Sequence, residues 1–96
     1  MRRKIIPYGT KLPVRFSEAE RKLIREHTFY DTHFGDFAVV EGDSIRLDMS
    51  LDNIEELQGY VAAACNHCDN PKIEKALDPI FDRLEEFLEY YDDQAE

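Results

Sequence analysis

The sequence predicts an α+β domain, a small three-stranded antiparallel sheet with three helices in the order β-α-β-β-α-α. Three observations predict it. Residues 11–16 and 45–49 alternate apolar and polar side chains at the period of a half-buried strand. Three later or intervening stretches, within 17–27, 50–68 and 71–91, repeat apolar residues at the spacing of a helix face. Between two short β-prone runs stands Gly42-Asp43, a hairpin signal. A chain of 96 residues fits one domain spanning 1–96 with one core.

Residues 1–10 read as an irregular basic N-terminus, punctuated by Pro7 and Gly9. Leu12, Val14 and Phe16 then alternate with Lys11, Pro13 and Arg15. Pro13 has no N–H to give a ladder, which assigns this strand to an edge. Ser17-Glu18-Ala19-Glu20 is a capping box, in which hydroxyl and carboxylate each take one orphan N–H. The helix it opens sets Ala19, Leu23 and Ile24 inward and Arg21, Lys22 and Arg25 outward, and ends near His27. Thr28 to Asp36 reads as a loop, followed by hairpin strands over Phe37–Glu41 and Ile45–Met49.

Ser50 caps a second helix whose apolar stripe is Ile54, Leu57, Val61, Cys65 and Cys68, with Ala64 beside it. Gly59, Ala62, Ala63 and Asn66 form a neighbouring face of small residues, where another backbone has room to approach. Asn70 caps the third helix, with Pro71 at its first position. Ile73, Leu77, Ile80, Phe81, Leu84, Phe87, Leu88 and Tyr91 keep one helical phase across Pro79. That continuity predicts a helix kinked at Pro79, not two separate helices. Residues 92–96 read as a frayed acidic tail.

The charge is unevenly placed. Residues 1–26 carry eight basic and three acidic side chains, whereas residues 27–96 carry four basic and eighteen acidic. A basic head on an acidic body attracts itself or a second copy, and the acidic body repels nucleic acid. No apolar run reaches the ~20 residues of a membrane span, and the first residues lack a signal-peptide core. A cytoplasmic protein is the expectation.

Cys65-Asn66-His67-Cys68 invites a metal or redox reading. However, the pair falls on the apolar stripe near a helix C-terminus, whereas activated thiols favour the N-terminus. Core thiols are therefore expected, with His67 helping to close the helix. No phosphate-binding loop, nucleophile elbow or zinc-protease motif occurs, and no cofactor is implied. A small hydrolase or transferase working at the 29–37 loop has no motif behind it.

The leading expectation is a non-enzymatic interaction module, a homodimer or a docking domain for another protein, since a domain this small buries a modest share of its surface. Its partner-binding candidates are Phe29, Tyr30, His33 and Phe34 of the aromatic loop, Arg21 and Arg25, and the small residues Gly59 and Ala63. The alternative is a small metal- or ligand-binding protein using His27, His33, Cys65, His67 and Cys68.

Overall fold

The computed structural model describes residues 3–28, 30 and 38–93. Its elements are β1 (Lys4–Ile6), β2 (Leu12–Ser17), α1 (Glu18–His27), β3 (Val39–Glu41), β4 (Ser44–Met49), α2 (Leu51–Asn66), α3 (Pro71–Tyr90) and β5 (Tyr91–Asp93). The expected α+β order is present, with a terminal strand pair in addition. Phe29, His33, Phe34 and the expected strand start at Phe37 lie outside the described residues.

The main sheet has the order β2-β4-β3, antiparallel throughout. Pro13 sits on edge strand β2, the position at which a residue without an N–H is tolerated in a sheet. Glu41 and Ser44 close the hairpin around Gly42-Asp43, and Gly42 adopts a φ of +65°. A positive φ at the first central position alone is the pattern of a type II′ turn, which glycine tolerates without strain.

Pairing Leu12, Val14 and Phe16 with Met49, Leu47 and Ile45 places all six side chains on one face. The helices cover that face. Ile24 of α1, Leu51, Ile54, Leu57 and Val61 of α2, and Leu77, Ile80 and Leu84 of α3 complete the core. Ala19, expected on the inward face of α1, is exposed, so Ile24 and the half-buried Leu23 anchor that helix. Across the outer sheet face Arg15 stands directly opposite Arg46. Like charges so placed repel, and Glu41 offsets this by lying 3.4 Å from each guanidinium.

α3 runs unbroken through Pro79, so Asp78 starts no new helix. Pro79 cannot donate to the Lys75 carbonyl, the defect that kinks helices.

The terminal pair departs from the expected irregular head and frayed tail. β1 and β5 run parallel, with Lys4, Ile5 and Ile6 opposite Tyr91, Asp92 and Asp93. Ile6 is buried and gives the head an apolar foothold, whereas Ile5 remains exposed. Basic head and acidic tail thus meet within one molecule.

Between α1 and α3 a charge pair joins a basic residue of α3 to an acidic residue of α1. Arg83 of α3 forms two parallel hydrogen bonds to Glu20 of α1, at 2.9 and 3.0 Å, and donates to the Arg15 carbonyl at 3.0 Å. Glu20 also accepts the Ser17 N–H at 2.8 Å and closes the capping box. Burial by itself would raise the Glu20 pKa, but Arg83 and the Ser17 N–H outweigh it and hold the carboxyl below its ordinary value. Stability from this pairing is therefore present above the unfolded-state pKa of about 4.3 and lost as pH falls through the lower folded value. Glu20→Gln is expected to cost about 1–2 kcal/mol at pH 7, with the gap to wild type closing below about pH 4, read from urea midpoints across pH. A pH-independent gap would count against this role. Pro79→Ala is expected to raise the melting temperature in scanning calorimetry by restoring one helical hydrogen bond, and an unchanged or lower value would count against this.

Candidate functional site

α2 buries one side, and among the described residues its other side is largely exposed, with Tyr8 donating to Asp52 at 2.9 Å near its start. Residues 52, 56, 59, 60 and 63 follow the i, i+3, i+4 progression away from Leu57 and Val61, which places them on the outward face. Asp52, Glu55 and Glu56 occupy the first turns, where carboxylates complement the positive end of the helix dipole, so structure alone accounts for them. It does not account for the next turn. Gly59 is an exposed mid-helix glycine without a positive φ, and a Cβ placed there meets no atom within 4 Å among the described residues. Such a glycine costs a helix roughly 0.8–1 kcal/mol relative to alanine.

Around Gly59 lies a shallow, open groove on α2, bordered by Asp52, Glu55, Glu56, Tyr60 and Ala63. Tyr60 and Ala63 also belong to a second cavity of about 420 Å³, which extends to Glu26 and His27 of α1 and to His67, Cys68 and Ile73. The two cavities therefore form one track along α2. Tyr30 sets the orientation of Tyr60 through an edge-to-face contact, with centroids 5.5 Å apart and planes at 67°.

The structure thus joins residues that the sequence had divided between two functions. Gly59, Ala63 and, through Tyr60, Tyr30 share the track with His27, His67 and Cys68. Arg21 and Arg25 lie elsewhere, beside a cavity along α1 that Glu18 and Glu26 also line. Their face is of mixed sign, and Arg21 pairs with Glu18 at 2.5 Å. Tyr60 was the residue sequence reasoning missed. Its signal was an aromatic one position off the apolar stripe, next to a glycine.

Neither thiol is fully in the core. Cys65 is half-buried against the core margin, with its Sγ 3.9 Å from Asp78 Oδ1, and Cys68 donates to the Asn70 carbonyl at 3.3 Å. His67 is exposed and caps α2 through its backbone N–H to the Ala63 carbonyl at 3.1 Å. Burial and then the negative charge of Asp78 push the Cys65 thiol above its usual pKa, the reverse of an activated cysteine. Among the described residues no three His, Cys, Asp or Glu side chains gather closely enough to hold a metal ion. Nor is any described helix long and apolar enough to cross a membrane.

Comparison with known proteins returns no matching family model, curated protein or solved structure. The residues of the track therefore carry the functional reading alone.

Asp78→Asn is expected to speed alkylation of Cys65 by iodoacetamide at pH 8, because one cause of its raised pKa is removed while burial remains. Peptide mass spectrometry over time measures the rate, and an unchanged rate would remove Asp78 from the account.

Proposed function

We propose that this protein is a non-enzymatic interaction module that docks a protein partner, a second copy of itself included, along the outer face of α2. The observation that carries the reading is Gly59. It weakens its helix and serves no turn, left-handed conformation or close internal packing among the described residues. A partner backbone approaching between Tyr60 and Ala63 supplies the reason for it. Tyr60, 38% exposed, adds a rigid amphipathic contact of the kind favoured at interfaces.

A second reading rests on the cavity shared by His27, His67 and Cys68, which suits a small ligand more than a bare metal ion. Native mass spectrometry of freshly purified protein tests the second reading, since retained ligand adds mass to the monomer, whereas a doubled mass marks docking to a second copy.

Gly59 makes the docking reading testable in two steps. Gly59→Ala is expected to raise stability by about 0.5–1 kcal/mol, since the added methyl meets open space; a loss would mean that the fold itself needs the glycine. A photo-crosslinking residue at position 63 is expected to give a discrete adduct in cells, abolished by Gly59→Leu. The same probe at Asp48, on the outer sheet face, is expected to give none. Equal adducts at both positions, or none at 63, would overturn the reading.

A further inference from the structure

The end of α3 carries a second surface with a more specific chemistry. Phe87, Tyr90 and Tyr91 line a cavity of about 250 Å³ with Glu86. Phe87 and Tyr91 are half-buried and pack on the core, which fixes their rings from one side. Their rings lie 6.4 Å apart and within 20° of parallel, and Tyr90 stands nearly perpendicular to Tyr91 at 4.7 Å. Tyr90 is 55% exposed. It falls off the apolar stripe that Phe87, Leu88 and Tyr91 continue, so core packing does not explain it.

Three physical facts decide what this corner attracts. Aromatic faces carry a negative quadrupole that draws cations within about 6 Å of the ring centroid. Glu86 adds a full negative charge at the rim. The last turn of α3 contains no basic residue, so the negative end of its dipole has no cation from its own helix. The fold already uses this chemistry once, where the Arg83 guanidinium lies 5.7 Å over the Phe16 ring while paired with Glu20. An acidic segment is repelled here, and a purely apolar one gains nothing from the carboxylate. Among the described residues neither Arg3 nor Lys4 lines the corner, although Lys4 stands opposite Tyr91 in the β1–β5 pair and Arg3 lines an acidic cavity that also includes Tyr91. That cavity shares Asp52 and Glu55 with the α2 groove, and Tyr91 with the corner.

We propose that the Phe87–Tyr90–Tyr91 corner, rimmed by Glu86, receives a Lys or Arg side chain from a basic segment of the docking partner. The proposal rests on the docking reading and names the partner's chemistry.

The test titrates the full chain with a nine-residue Lys/Arg-rich peptide, read by calorimetry and by the ring resonances of the tyrosines. Tyr90→Leu keeps charge and apolar bulk but removes the π-face, and is expected to weaken binding about three- to tenfold. Tyr90→Phe restores the face and is expected to bind as wild type. Glu86→Gln is expected to weaken binding more than Asp82→Asn, which removes the same charge from another exposed position of α3. Binding unaffected by Tyr90→Leu, or lost equally in the two charge variants, would reduce the attraction to general acidity and overturn the proposal. A position-63 adduct together with a silent Tyr90→Leu would remove this proposal and leave the docking reading in place.

Discussion

The Glu20–Arg83 pair is the junction on which the helical layer depends. One carboxylate closes the capping box that starts α1, and the same carboxylate holds the guanidinium that spans from α3 to the end of β2. Three elements are thereby set relative to one another by hydrogen bonds of fixed direction. Apolar contacts, being non-directional, leave more freedom to slide. The pair is partly shielded, with side chains 18% and 32% exposed. Its two parallel bonds at 2.9 and 3.0 Å set it apart from the longer 3.4 Å contacts that Glu41 makes with Arg15 and Arg46 on the outer sheet face. Arg83 also covers Phe16, so the polar junction continues directly into the core.

With the layer fixed in this way, burial divides each helix into a used and an unused side. α2 spends Leu51, Ile54, Leu57 and Val61 on the core, all almost fully buried. Its opposite side then presents the acidic first turns, Gly59, Tyr60 and Ala63 as one strip. α3 does the same with Leu77, Ile80 and Leu84, which leaves Tyr90 outward at its end. The surfaces proposed for docking are thus the geometric complement of the core. Their chemistry differs along the strip, small and shallow beside Gly59 and aromatic and anionic beside Tyr90.

The chain ends show how charge asymmetry is resolved locally. The basic head lies parallel to the acidic tail, with Ile6 buried beneath it. The core has already brought the chain ends together, so pairing them costs little further loop-closure entropy. α2 carries three acidic and no basic residues and α3 six acidic and three basic, and it is on these helices that the proposed partner would meet the acidic excess.

The sequence by itself determined the elements and the faces they bury. Ser17 and Glu20, Ser50, Asn70 with Pro71, and Gly42 each act within a few residues, and their chemistry is readable wherever the chain goes. Alternation in β2 and β4 likewise set which side faces inward, because a register slip of one residue would expose the whole apolar set. Only the tertiary structure decided the rest. Glu20 and Arg83 are 63 positions apart, and helical periodicity carries no information on which charged residues of two helices will meet. Ile5-Ile6 read as irregular because a three-residue strand has too few alternations to register, and it exists through its partner β5. His27 and His67 came to share a track with Gly59 and Ala63 for the same reason. Placement across elements is set by how stripes stack in one small core, a property of the whole chain and not of any segment.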